Sequence, residues 1–192
     1  LNNTYQLTYD KNSNIISVKD RNGFTSTYTY DSLDRIKTAT DNNGNTVTST
    51  YDAVGNVVSL EDQNNNITDY TYDSLNRVKR TTYPDGRFIE YTYDNKWNMI
   101  AKRLTDGTMI NFAYDSLNRV VSKTLPGGHI FNYTYDALGR LLTASNNSGT
   151  VTLAYDALNR ITSETYGGRT VNYSYNISGR TQTTVYPDST VV

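Results

Sequence analysis

The 192-residue chain carries 18 lysines and arginines against 19 aspartates and glutamates, a net charge of −1 that offers no basic surface to nucleic acid or an anionic membrane. It has no cysteine and one histidine, which excludes a disulfide framework, thiolate ligands and a His-based metal cluster, and its apolar runs are too short to span a membrane. Eighteen tyrosines, abundant Asn and Thr, three prolines and no apolar stripe at helical spacing favour strands and turns throughout.

The chain repeats itself. A Tyr-Asp step stands at Tyr9-Asp10, Tyr30-Asp31, Tyr51-Asp52, Tyr72-Asp73, Tyr93-Asp94, Tyr114-Asp115, Tyr135-Asp136 and Tyr155-Asp156, and a ninth copy at Tyr175 has Asn176; the spacing is 21 residues six times, then 20 twice. A fixed period of this size marks stacked supersecondary units, so residues 1–192 read as a single array, expected to be part of a longer repeat protein.

Each unit reads as a hairpin. Before the Tyr, residues alternate strictly, as in Ile110-Asn111-Phe112-Ala113-Tyr114 and Phe131-Asn132-Tyr133-Thr134-Tyr135, which predicts a strand with one aromatic or aliphatic face and one polar face. Five residues such as Asp136-Ala137-Leu138-Gly139-Arg140 follow, with Gly, Asn or Asp usually fourth, the types that tolerate a left-handed backbone in a turn. A return strand then opens on Ile15, Ile36, Val57, Val78, Met99, Val120, Leu141 or Ile161. The five-residue turn predicts that the Tyr pairs with this aliphatic residue. It also predicts that the earlier aromatic (Tyr28, Tyr70, Tyr91, Phe112, Tyr133 or Tyr173) pairs with the small residue two further on, such as Thr38, Ala101, Ser122 or Thr143; Arg80 is the exception. In that register Ile16, Val18, Val58, Leu60, Val121 and Leu142 fall on the polar side, where a second layer or another molecule is expected to cover some of them. Second turns such as Asp41-Asn42-Asn43-Gly44 and Tyr83-Pro84-Asp85-Gly86 join the hairpins. The two shortened repeats are expected to lose their residue there, near Ser148-Gly149-Thr150 and Gly167-Gly168, which keeps the strand faces in phase. The predicted fold is all-β: about nine hairpin repeats of 20–21 residues in one continuous, twisted and curled antiparallel sheet, shell-like or solenoid-like.

The pattern in Tyr70-Thr71-Tyr72-Asp73-Ser74-Leu75-Asn76-Arg77-Val78 and Tyr133-Thr134-Tyr135-Asp136-Ala137-Leu138-Gly139-Arg140-Leu141 resembles the YD (Rhs) repeat family, found in bacterial Rhs and insecticidal toxin-complex proteins and in animal teneurins. The resemblance covers nearly the whole chain. It implies a spiralling sheet of hairpins that forms a hollow shell, which in bacterial members encloses a toxic polypeptide. The Asp-Pro box of self-cleaving members is absent, since Pro84, Pro126 and Pro187 follow Tyr83, Leu125 and Tyr186, so the scaffold carries over and the proteolysis does not.

Residues with reactive chemistry are weighed against this repetition. The column Asp10, Asp31, Asp52, Asp73, Asp94, Asp115, Asp136 and Asp156 has the chemistry of general acids or metal ligands, but catalysis needs one constellation and not eight equivalent copies, so the column reads as turn caps. Arg35, Arg77, Arg119, Arg140, Arg160 and Arg180 read in the same way as partners of the turn Asp or of neighbouring Tyr rings, ahead of a role in binding acidic ligands or sugars. Asp10-Lys11-Asn12-Ser13-Asn14 starts like a calcium loop, but Ile15 stands where an EF-hand needs Gly and Arg21 where it needs its last acid. His129 reads as a turn residue. Trp97, in the turn position of Gly or Asn, is a packing anchor or a contact point. Sequons occur at Asn2, Asn66, Asn132, Asn146, Asn172 and Asn176, a number that an Asn-, Ser- and Thr-rich composition produces by itself.

No catalytic, cofactor or metal site is predicted. The expected role is structural, a segment of a shell, stalk or filament of a secreted or surface protein; the alternative is an adhesin that presents its Tyr, Asn and Arg rows to glycans. Further repeats or copies of the chain are the expected partners through open terminal strands, since neither end carries a polar cap, with an enclosed polypeptide or glycans as further partners.

Overall fold

The structure, a computed structural model, describes residues 4–178 and 180–192. The chain divides into two compact units, one up to Tyr91 and one from Thr92. The first holds β1 (Gln6–Tyr9), β2 (Ile15–Lys19), β3 (Thr25–Tyr30), β4 (Ile36–Thr40), β5 (Thr46–Tyr51), β6 (Val57–Glu61), β7 (Ile67–Tyr72), β8 (Val78–Thr82) and the start of β9 (Phe88–Tyr93). The second holds β10 (Met99–Arg103), β11 (Met109–Tyr114), β12 (Val120–Thr124), β13 (Ile130–Tyr135), β14 (Leu141–Asn146), β15 (Gly149–Tyr155), β16 (Ile161–Tyr166), β17 (Arg169–Tyr175) and β18 (Thr181–Val185). Within each unit every strand pairs antiparallel with its neighbour in chain order, giving an open sheet of hairpins. The only helical element among the described residues is a 3-10 turn at Pro126–Gly128, and no helix is long and apolar enough to cross a membrane.

Seven of the described hairpins have the expected five-residue turn and the expected first pair, as in Tyr30↔Ile36, Tyr51↔Val57 and Tyr135↔Leu141. The second predicted pair is wrong. A β-bulge follows the first pair in eight of the described hairpins, so Tyr28 faces Ala39 rather than Thr38, and Tyr133 faces Ala144 rather than Thr143. One extra unpaired residue in the return strand shifts its phase, and a slip of one moves every later side chain to the other face. This corrects the reading of the six apolar residues. Ile16, Val58, Val121 and Leu142 are the unpaired bulge residues, while Val18 pairs with Leu7 and Leu60 with Ser49 on the Tyr-bearing face. The polar face is accordingly Thr, Ser and Asn, with hydroxyl pairs Thr29–Thr38 at 2.6 Å and Thr134–Thr143 at 2.6 Å.

Exposure alternates along β7, β11 and β13, with the Tyr-bearing face half-buried and the other open. No apolar side chain among the described residues is fully buried; Thr81, at 8% exposure between Tyr70 and Ile89, is the most enclosed. A single sheet has no second layer to close a core, so stability must come from contacts within the sheet surface.

The shortened repeats lose their residue in the second turns, as expected. Asn146 pairs with Gly149 across Asn147-Ser148, and Tyr166 pairs with Arg169 across Gly167-Gly168, which leaves Thr143↔Thr152 and Thr165↔Thr170 on the polar face. Gly149 is required by its surroundings: its φ is +154°, and a β-carbon there would lie 2.8 Å from Cε2 of Tyr166. Gly149→Ala is expected to lower stability by about 1–2 kcal/mol, through backbone strain and displacement of the ring, as read by urea unfolding.

Candidate functional site

The repeated residues converge on one seam, where each hairpin meets the next. The turn Asp caps its own loop first. Asp31 Oδ1 accepts the amides of Leu33 at 2.9 Å and Arg35 at 3.1 Å, and Asp136 Oδ1 accepts those of Leu138 and Arg140 at 2.9 Å each. The fourth turn residue then adopts a left-handed backbone, as at Asp34 (φ +58°), Asn76 (+59°) and Gly139 (+84°), which is why small polar residues and Gly occupy it. Asn176 does the work of Asp in the ninth copy, accepting the amides of Ser178 and Arg180 at 3.0 Å each.

The second carboxylate oxygen recruits the fifth turn residue. Arg35, Arg77, Arg119, Arg140 and Arg160 donate to Oδ2 of Asp31, Asp73, Asp115, Asp136 and Asp156 at 2.6–2.7 Å. Where the position is Asn, as at Asn56 and Asn98, the side-chain amide donates to Asp52 and Asp94 instead. Held this way, the Arg reaches forward one repeat. Nη1 of Arg35 donates to the carbonyl of Asp52 at 3.0 Å while its guanidinium lies 4.4 Å from the Tyr51 ring centroid, and Arg140 does the same to Asp156 and Tyr155 at 3.0 and 4.8 Å. Arg119 lies over Tyr135 and Arg160 over Tyr175.

The Tyr closes the seam from the other side. Its hydroxyl donates one repeat back, to the carbonyl of the aliphatic residue that opens the previous return strand: Tyr30 to Ile15, Tyr51 to Ile36, Tyr72 to Val57, Tyr114 to Met99, Tyr135 to Val120, Tyr155 to Leu141 and Tyr175 to Ile161, at 2.6–2.9 Å. Those carbonyls lie beyond the last ladder pair, Ser17↔Thr27 in the case of Ile15, so the phenol satisfies a group that the sheet register leaves at its edge. Burial raises the hydroxyl pKa of Tyr72 and Tyr114, keeping them protonated donors.

The other candidates are placed as follows. Tyr9 is exposed, Tyr93 is half-buried beside the half-buried Asp94, Asp10 caps Asn12 and Asn14, and the backbone amide of Arg180 bonds to Asn176. Sequence reasoning missed Asp20, Asp41 and Asp62, which cap second turns in the same way, although the Asp-x-x-x-Phe/Asn spacing matches the first turns. It also missed the target of the Tyr hydroxyl, which no local spacing shows. Arg80 lies 3.5 Å from the Phe88 centroid and 3.6 Å from Glu90. His129 ends the second turn that Leu125 begins. Trp97 has φ +71° and is 61% exposed. Of the sequons, Asn2 lies outside the described residues, Asn66 is tied to Asp62, Asn146 and Asn176 serve turns, and Asn132 and Asn172 are exposed on the polar face. Among the described residues no group of three or more His, Cys, Asp or Glu is placed to hold a metal ion.

No curated protein matches the sequence. Solved structures share the fold. The crystal structure of TcdB2-TccC3-Cdc42 aligns with TM-score 0.71 at 18% identity, over 94% of this chain and 12% of that one. The Tc holotoxin pore of Photorhabdus luminescens aligns with TM-score 0.68 at 20% identity, over 96% of this chain and 12% of that one. The chain thus spans about an eighth of the length of the structures it matches. Residues 2–192 match the teneurin YD-shell family, and the chain belongs to that family.

Proposed function

We propose that the chain is a length of shell wall, a structural scaffold whose repeats are locked edge to edge rather than folded around a core. The observation that carries this reading is the seam: the turn Asp anchors the Arg of its own turn, and that Arg and the Tyr spend their polar atoms on neighbouring repeats, the use expected of residues that hold a continuous wall. The likeness to toxin-complex structures supports an extracellular setting and an enclosed polypeptide as the partner of the whole protein.

The glycan-binding alternative is disfavoured by the same geometry. Sugar stacking needs open ring faces, whereas Arg35, Arg119, Arg140 and Arg160 lie over the rings of Tyr51, Tyr135, Tyr155 and Tyr175. A glycan array probed with the chain, together with negative-stain microscopy of the same sample, tests the proposal. Strips or walls one sheet thick without glycan binding are expected; selective, saturable binding to one class of glycan overturns it.

A further inference from the structure

The Tyr-Asp turns alternate in a way that their backbone does not explain. In the first eight, numbered in chain order, the fourth residue is left-handed, with φ between +58° and +99°, a conformation that Gly meets best. Yet the residue there alternates through all eight. Ser13, Gly55, Trp97 and Gly139 stand in the odd hairpins, and Asp34, Asn76, Asn118 and Asn159 in the even ones. The fifth residue keeps the same rhythm through six turns: Asn14, Asn56 and Asn98 recur at a spacing of 42 residues with Arg35, Arg77 and Arg119 between them, and Arg holds the place from Arg140 onward. A requirement internal to the turn selects one residue class in every hairpin, whereas a period of two hairpins requires a contact from one hairpin to the next.

That contact is present. Nδ2 of Asn14, Asn56 and Asn98 donates to Oδ2 of its own turn Asp at 3.1, 2.9 and 2.8 Å. It also donates to Oδ1 of Asp34, Asn76 and Asn118 in the next hairpin, at 2.7, 3.0 and 3.0 Å, which uses both amide hydrogens. The Asp34 carboxylate, which takes a further bond from Asn12 at 2.9 Å, can only accept, and so fixes the direction of donation. Arg behaves differently. Its longer side chain brings Nη1 of Arg35 and Arg119 to a main-chain carbonyl of the next turn, that of Asp52 at 3.0 Å and of Asp136 at 3.1 Å, a group that every turn has whatever its side chains. Arg140 takes both acceptors, the Asp156 carbonyl at 3.0 Å and Oδ1 of Asn159 at 3.1 Å. A hairpin with Asn therefore depends on the side chain that follows it, and each of the three is followed by Asp or Asn.

We propose that the fourth turn residue determines which hairpins stand next to each other in the wall: Asp or Asn there receives a preceding hairpin that carries Asn, while a preceding Arg accepts any successor. The inference rests on the scaffold reading and names what sets the order of its repeats. The first six hairpins are then three modules of two, rather than six interchangeable units.

Asn76 is the position to change, since its φ of +59° suits Gly and its side chain is exposed. A role confined to its own turn makes Asn76→Gly neutral or stabilising, and the acceptor role gives the opposite sign. Asn76→Gly is expected to raise the unfolding equilibrium constant in urea roughly threefold to tenfold, the worth of one hydrogen bond, with Asn76→Asp close to wild type. Ser13→Gly, the same replacement in an odd turn, is expected to leave stability unchanged or improved. In the Asn76→Gly chain the side-chain amide protons of Asn56 are expected to lose their hydrogen-bonded shift, while the backbone amides of Val54 and Asn56, held by Asp52, keep theirs. Asn56→Arg is expected to restore stability to the Asn76→Gly chain and to gain less in the wild type, because Arg reaches the turn carbonyl instead. An Asn76→Gly chain no less stable than wild type, Asn56 amide protons that do not move, or an Asn56→Arg gain equal in both backgrounds would each overturn the assignment. Those outcomes leave the scaffold reading standing; selective glycan binding by the unaltered chain removes that reading and does not touch these stability differences.

Discussion

Acidification below the ordinary aspartate range is expected to unfold the chain, with identical strand signals at pH 7 and pH 5 and an uptake of several protons across the transition. Thirteen of the described aspartates have pKa values held below the ordinary 3.8. At Asp31 the leading cause is the bond from the Arg35 side chain, and at Asp94 that from the Asn98 amide; at Asp115 and Asp156 it is the backbone amide of the fifth turn residue. At Asp136 desolvation is the largest influence and pushes upward, but the bonds from Arg140 together outweigh it. A carboxylate whose folded pKa is depressed contributes stability that is present above its unfolded value and lost as the pH falls through its folded value. Each exposed turn contributes little, but the same shift recurs along the array and all of it is withdrawn over one narrow window. The ninth turn supplies an internal control, because Asn176 makes the amide bonds without a charge. Converting Asp136 and Asp156 to Asn is expected to make the acid transition shallower. Equal melting temperatures at pH 3 and pH 6 would show that the turns do not carry this linkage.

The hairpins were legible because each rests on a short-range signal: alternation before the Tyr, a left-handed residue fourth in the turn, and a deletion confined to turns. The first strand pair followed from turn length alone. The bulge did not, although its trace is present in the return strands, where Ile15 and Val18, Ile36 and Ala39, Val57 and Leu60, and Leu141 and Ala144 sit three apart. Two residues three apart cannot share one face of a regular strand, so that spacing requires an inserted residue. The candidate site was legible as a set of columns and not as a geometry. Nothing local says that Arg35 reaches Asp52 or that Tyr51 reaches Ile36, because those contacts depend on how much one hairpin is offset from the next, and the bulge sets that offset.

Tyr135→Ala is expected to destabilise the C-terminal unit by about 2–4 kcal/mol in urea unfolding, among the largest effects of any single side-chain truncation in the array. Three contributions are lost together. The hydroxyl bond to the Val120 carbonyl, 2.8 Å long, is worth about 0.5–1.5 kcal/mol. The Arg119 guanidinium, 4.7 Å from the ring centroid, adds about 0.5–1 kcal/mol. Removing a half-buried aromatic ring forfeits a further ~1 kcal/mol or more of apolar burial. Tyr135→Phe keeps the ring and the guanidinium and is expected to cost about 1 kcal/mol, while Tyr9→Ala, at an exposed ring, should cost less than that. Because a repeat touches only its neighbours, the damage should stay local, with amide exchange faster in β12 and β13 and nearly unchanged in β16 and β17. A Tyr135→Ala chain no less stable than the Tyr9→Ala chain would mean that the seam does not hold the repeats together, and would leave the backbone ladders as the whole of their cohesion.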